Sequence, residues 1–168
     1  MAPPRGELSF WVPDGSATGT RVAEFVQAAL ARRRVRVRIV SRPWREFERA
    51  VDGGEVDLFY LSWFADGPGA DRYVRSMVGS RDHGGDGNRT GYSSAVVDSL
   101  LDAARLDRDA RARADDLLRA ETLALSDAPI VPLFHSVNVV LVRPWVEGFV
   151  PDPLGCPRYD AVEVTRAH

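Results

Sequence analysis

The stretch from Val56 to Phe64 is strongly apolar, rich in aromatic residues and of strand length. That is the composition of a central β-strand covered on both faces, so helices are needed above and below it. The run ends in Ala65-Asp66-Gly67-Pro68, a turn signal. Upstream, Leu8 to Val12 alternates as a short strand and stops at Pro13-Asp14-Gly15. Val22, Phe25, Val26, Ala29 and Leu30 then recur at helical spacing. Val35, Val37 and Ile39 alternate with Arg36 and Arg38, the period-two pattern of a strand with one buried and one wet face. The unit reads β-α-β. Ser41 is placed as a helix cap before Pro43, and Trp44, Phe47 and Val51 share one helical face that stops at Gly53-Gly54.

Beyond the apolar run, Arg81 to Gly91 is a loop by its Gly, Asp and Asn content. Ser93 is the expected cap of a helix carrying Val97, Leu100, Leu101 and Ala104 on one side. A second helix from about Asp107 is expected to turn Ala114, Leu117, Leu118 and Leu125 inward, with Asp109 and Arg113 as a surface ion pair. Ile130 to Val142 reads as one or two final strands broken by Pro132. Arg143-Pro144 then opens a tail rich in Pro and Gly, which places a boundary between residues 1–142 and 143–168. The fold class expected is α/β, a mixed sheet flanked by helices.

Several functions are excluded or disfavoured on composition. All 22 basic residues are Arg. Without Lys there is no Schiff-base, phosphate-loop or Lys general-base chemistry. A net charge of -2 gives no bulk attraction to nucleic acid, and Arg32-Arg33-Arg34 with Arg36 and Arg38 fits a helix C-terminus followed by a solvated strand face. The lone Cys156 excludes an internal disulfide. Asp82, His83, Asp86 and Asn88 match no metal-ligand spacing, so no metal and no cofactor are assigned. His135 and Ser136 are adjacent, and in a strand they point to opposite faces, which is no nucleophile-base pair. The reading is therefore not that of an enzyme. The remaining candidate is Tyr60 to Asp66, at the carboxyl end of the apolar strand where α/β proteins gather ligands.

Read together, several pieces carry a resemblance: Val56-Asp57-Leu58-Phe59 leading into Trp63-Phe64-Ala65-Asp66, then Asn88-Arg89-Thr90-Gly91-Tyr92-Ser93, then Val97-Asp98-Ser99-Leu100-Leu101. Ala128-Pro129-Ile130-Val131-Pro132-Leu133-Phe134-His135 and Arg143-Pro144-Trp145-Val146-Glu147-Gly148-Phe149 follow in order. In this the chain resembles the family-5 extracellular solute-binding proteins of ABC importers, and corresponds to about the last third of a member. The resemblance implies one lobe of a type II periplasmic-binding-protein-like fold, with residues 143–168 returning to the other lobe. It implies a two-lobed clamp that binds a peptide or a similar small solute and delivers it to an ABC permease; nickel, haem and opine carriers belong to the same family.

By the same resemblance, Asp66 pairs with a peptide α-ammonium, Trp63 walls the cleft, and Ser62 and Phe64 offer backbone groups to the ligand. A carboxylate facing an ammonium in a water-poor cleft is charge-assisted, which agrees with that role. Where the family continues with an aromatic and an Asp-Pro-type stretch, this chain has Gly67-Pro68-Gly69-Ala70-Asp71. Val146, Phe149, Val150 and Leu154 of the tail would lack their partner surface, so self-association or a repacked tail is expected. As part of an intact member the chain is expected outside the cytoplasm. Met1-Ala2-Pro3-Pro4-Arg5 does not read as a signal peptide, so the other reading is a cytoplasmic regulatory or interaction module, or a remnant of the same lobe.

Overall fold

The computed structural model describes residues 6–64, 69–85, 87–137, 139–152 and 158–165. Leu154, Cys156 and Asp86 lie outside them. The expected β-α-β unit is present as β1 (Glu7–Pro13), α1 (Ala17–Ala31) and β2 (Arg36–Arg42). It is followed by α2 (Trp44–Asp52) and β3 (Leu58–Phe59). β1 and β2 pair in parallel from Glu7 opposite Arg36 to Pro13 opposite Arg42. β3 pairs in parallel with the other edge of β1 through Phe10–Leu58 and Trp11–Phe59, giving the order β2-β1-β3.

Alternation along the strands decides which helix covers which face. Phe10, Val12 and Val37 pack with Ala23 of α1, and Leu58 and Tyr60 join them. The intervening Phe59 meets Phe47 of α2, with ring centroids 6.4 Å apart and edge-on. Successive strand residues point to opposite faces, so α1 and α2 cover opposite sides of the sheet. The apolar run is corrected in one respect. Only Leu58–Phe59 is strand, and its sole strand neighbour among the described residues is β1, so it lies at a sheet edge.

Both expected caps move, and an expected ion pair gives way to a cap. Ser41 donates its hydroxyl to Asp14 instead of capping α2, whose N-cap is Pro43. Ser94, not Ser93, caps α4 (Ala95–Leu106), accepting from the Val97 amide. The carboxylate of Asp109 caps α5 (Ala110–Asp127) by accepting from the Arg111 amide at 3.0 Å; the ion pair expected with Arg113 is replaced by this cap.

A helix absent from the sequence reading, α3 (Ala70–Val78), packs with α4 and α5 into a second core built on Val78, Val97, Leu100, Leu101, Ala120 and Ala124. On α5 the inward positions are Leu117, Ala120 and Ala124. Leu118 is 61% exposed, and Ala114 faces solvent as well. Small residues at the α4–α5 contact let the helices approach closely, and their low hydrophobicity hid that face from a reading based on leucines.

The loop between α3 and α4 is held rather than open. It starts with a 3-10 turn, Ser80–Asp82, and is organised by the buried side chain of Asn88. The Asn88 amide donates to the carbonyls of Gly79 (3.2 Å) and Tyr92 (2.9 Å), and its oxygen accepts from the amide and hydroxyl of Thr90. His83 Nε2 lies 2.8 Å from the Tyr92 carbonyl, so this loop histidine is engaged with backbone. Next to Asn88, Arg89 reaches Asp52 at 2.8 Å and Glu48 at 3.3 Å on α2, joining the helical unit to the sheet unit.

The final strands expected over Ile130–Val142 do not form. The described residues of this segment carry no strand, and most of its apolar side chains are exposed. The tail forms its own antiparallel hairpin, β4 (Val146–Glu147) with β5 (Glu163–Val164), and Phe149 packs on Tyr159 with centroids 6.3 Å apart.

Candidate functional site

A three-stranded parallel sheet in the order β2-β1-β3 changes direction between β1 and β3: α1 carries the chain from β1 out to β2, and α2 returns it across β1 to β3. The carboxyl ends of β1 and β3 lie side by side at this point. Ligands of open α/β sheets bind at such a switch point. One wall is the turn after β1, Asp14-Gly15-Ser16, which enters α1. The other is the segment Tyr60–Phe64 leaving β3.

The first wall is tightly held. The Ser16 hydroxyl caps α1 by accepting from the Gly19 amide at 3.1 Å. The Asp14 amide donates to the Arg42 carbonyl at 2.8 Å, and Ser41 donates to the Asp14 carboxylate, so the ends of β1 and β2 are tied together. The Arg42 guanidinium lies over the Trp11 ring, 5.9 Å from its centroid. Gly19 is buried where α1 meets Tyr60: a Cβ there would stand 3.0 Å from the Tyr60 ring and 2.7 Å from Ser16 Oγ. The absence of a side chain lets the helix start press against the outgoing strand.

The second wall is the sequence-predicted site. The Tyr60 amide donates to the Trp11 carbonyl at 3.2 Å, the last ladder bond of β3. Past it, the backbone of residues 61–64 makes no hydrogen bond among the described residues, so these amides and carbonyls are free for a ligand. Ser62 is exposed, with its hydroxyl 3.3 Å from that of Tyr60. Trp63 is half-buried and Phe64 is 74% exposed. Asp66, the residue expected to hold an ammonium, lies outside the described residues with Ala65, Gly67 and Pro68.

The segment that the chain presents is thus a backbone with no hydrogen-bond partner among the described residues, flanked by aromatic rings and hydroxyls. It suits main-chain recognition of an extended ligand, with side-chain pockets on alternate sides. Tyr60 opens the candidate segment read from sequence, whereas Asp14, Ser16 and Gly19 are not site residues in that reading. The Pro13-Asp14-Gly15 turn signal directly after a strand was the available clue, because only the strand order shows that this turn faces Tyr60.

At the opposite end of the sheet, Asp57 accepts from both the amide and the hydroxyl of Ser9, each at 2.8 Å. The Ser9 amide, then its hydroxyl, hold the Asp57 carboxyl below its ordinary range. This pair fixes the start of β3 against β1, and hence the register from which Tyr60–Phe64 leaves the sheet.

No family model matches the chain. The heme-binding protein A of Haemophilus influenzae is 26% identical over 162 residues, covering 94% of this chain and 29% of that protein. The dipeptide-binding protein of Escherichia coli K12 is 26% identical over 144 residues, 86% of this chain and 27% of that protein. Among solved structures, the murein tripeptide binding protein MppA of Escherichia coli superposes with a TM-score of 0.83 at 20% identity, covering 96% of this chain and 31% of that one. The chain therefore spans about 30% of the length of the curated relatives it matches. Its homologues, named for di-, tri- and oligopeptides and in one case for heme, are binding proteins of solute-binding family 5 and not enzymes, and the match is consistent with a C-terminal portion of them.

Proposed function

We propose that this chain forms part of a two-lobed clamp that binds a peptide for ABC-type import. The observation that carries the reading is the backbone of residues 61–64, without hydrogen-bond partners among the described residues, at the β1/β3 switch point beside Tyr60, Ser62 and Trp63. A peptide laid along it exchanges main-chain hydrogen bonds as an added strand does. Trp63 and Phe64 supply apolar area, and Asp66 supplies the charge that recognises an α-ammonium. The relatives support the ligand class: one is named for dipeptides and one structure for a murein tripeptide, while the heme-binding relative marks the competing cargo. In this reading the clamp works outside the cytoplasm and hands its peptide to a permease.

The test is calorimetric titration of the native protein with di- and tripeptides, their N-acetylated forms, and haem. Peptide binding that weakens about tenfold to a hundredfold on N-acetylation, and equally in Asp66→Asn, supports the reading; this is the range for one lost charge-assisted bond. Binding of haem but no peptide overturns the ligand class. Peptide binding untouched by Asp66→Asn overturns the site.

A further inference from the structure

The charge of the chain is unevenly distributed. From Arg21 to Arg38 there are six arginines and one acid, Glu24, whereas over the whole chain acids outnumber arginines by 24 to 22. The structure gathers four of these arginines and one aromatic ring on a single surface. Thr18, Arg21, Phe25, Ala29 and Arg32 follow one another at helical spacing, on the side of α1 turned away from Ala23, Val26 and Leu30 of the core. All five are exposed, Phe25 by 74%. Arg33 and Arg34, also exposed, continue the surface through the turn into β2.

None of this charge is spent within the fold. Arg21, Arg32, Arg33 and Arg34 make no ion pair and no side-chain hydrogen bond among the described residues. The end of α1 does not need their guanidiniums, because the Leu30 and Ala31 carbonyls already accept from the amides of Arg33, Arg34 and Val35 at 2.9, 2.9 and 3.0 Å. Arg34 also has a φ of 62°, a left-handed conformation that strains a side chain and is ordinarily given to Gly after a helix. A positive charge thus stands where the backbone favours no side chain at all. Arg34 and Arg36 border an open depression at this end of the sheet, whose one acid, Glu7, is paired with Arg38 at 3.5 Å.

Unpaired guanidiniums around an exposed ring are complementary to the surface of an anionic bilayer. Arg binds the lipid phosphates, and the ring enters the interfacial layer between headgroups and acyl chains. A nucleic acid fits less well: it gives Phe25 no apolar layer and runs on past the patch toward the acids that predominate elsewhere, while a bilayer meets one face only. A second copy seated on the same face would bring like charges together.

We infer that the outer face of α1 and the turn after it, Arg21, Phe25 and Arg32 to Arg34, form a docking surface for an anionic phospholipid membrane. The Arg32–Arg34 turn lies at the amino end of β2, whereas Tyr60–Phe64 leaves the carboxyl end of the parallel β3. Docking therefore leaves the candidate ligand segment uncovered, and the inference does not rest on what that segment binds.

The experiment is co-sedimentation of the native protein with vesicles of phosphatidylcholine, alone or with about 30% phosphatidylglycerol as the anionic lipid. The expected result is binding to the anionic vesicles only, lost as ionic strength rises from about 0.02 M to about 0.3 M. Arg32→Gln with Arg33→Gln is expected to weaken it about 25-fold, about fivefold for each arginine at the surface, and Phe25→Ser about fivefold. Arg34→Gly gives a readout that a purely structural role would not: binding falls about fivefold while Tm rises by about 2–4 °C as the strained backbone is relieved. Arg108→Gln with Arg111→Gln removes the same charge at the start of α5, where both side chains are exposed, and is expected to bind as the parent does. Equal binding to neutral vesicles, or no binding to either kind, overturns the inference. So does parent-strength binding in both Arg32→Gln/Arg33→Gln and Arg34→Gly, an equal loss in the α5 control, or tighter binding to a DNA duplex than to the anionic vesicles. None of these readouts involves a peptide, so the inference and the proposed function fail separately.

Discussion

Arg89 and Asp52, 37 residues apart in sequence, meet through a 2.8 Å ion pair, with Glu48 completing a fork one helical turn earlier on α2. The Arg89 side chain is 6% exposed and the two acids are 38% and 29% exposed, so the cation is the buried partner. Its removal leaves the acids partly hydrated. It also disconnects the core formed by α3, α4 and α5 from α2, and hence from the sheet.

Arg89→Ala is expected to cost about 3 kcal/mol, the lower end for a broken buried pair because the acids retain water. For a chain of this size that corresponds to a fall in Tm of roughly 6–12 °C by calorimetry. Arg89→Lys keeps the charge but loses the fork, and is expected to lose part of that amount. A melting temperature unchanged in Arg89→Ala would show that apolar packing alone joins the two units.

The α/β class, the β-α-β start and both helices of the α4–α5 hairpin were legible because apolar periodicity is a local property. What escaped was set by partners distant in sequence. Val56–Phe64 has the composition of a central strand but is held on one side only, at Phe10–Leu58 and Trp11–Phe59. The segment 131–142 has strand composition and no strand among its described residues. α3 was missed although Tyr73, Val74, Met77 and Val78 recur at helical spacing, because a Gly-Pro turn and a Gly-rich loop flank it closely. At the site, Trp63, Ser62 and Phe64 were visible as a cluster, whereas Tyr60 against Gly19 follows only from strand order.

The α5 register gives a direct contrast between two leucines. Leu101 on α4 is 1% exposed within the helical core, while Leu118 on α5 is 61% exposed. Leu101→Ala is expected to cost about 2–5 kcal/mol in urea unfolding, the range for a buried Leu→Ala cavity. Leu118→Ala is expected to stay within about 0.5 kcal/mol. Similar losses in both would return Leu118 to the core, as helical spacing alone suggested.

Asp98 gives the stability its pH dependence. Burial raises its pKa, but the Ser80 hydroxyl and amide and the charges of Arg81 and Arg75 outweigh burial and hold the carboxyl below its ordinary value of 3.8. Asp57, held by Ser9, is shifted the same way. With the folded pKa depressed, the unfolded chain takes up the proton first as pH falls. The contribution is therefore complete well above pH 3.8 and is lost progressively below it, through the folded pKa values. Urea midpoints measured from pH 7 to pH 3 are expected to fall below about pH 4. Asp98→Asn should be less stable at pH 7 with a shallower decline; a decline as steep as in the parent would place the acid sensitivity elsewhere.

Phe64 and Phe47 separate the candidate site from the fold. Phe47 is 0% exposed between the Trp44 and Phe59 rings, with centroids at 5.6 and 6.4 Å, and Phe47→Ala is expected to cost about 3–5 kcal/mol. Phe64 is 74% exposed, so Phe64→Ala should leave Tm nearly unchanged. An aromatic ring held in water beside free backbone is available to a ligand, and losing its contact with a bound peptide is expected to weaken binding by the native protein about tenfold, or 1.4 kcal/mol. Calorimetry and titration on the same preparation separate the effects. Weakened binding at constant Tm places Phe64 against the ligand; a lower Tm assigns it to packing; neither change removes it from the site and leaves Trp63 as the aromatic wall.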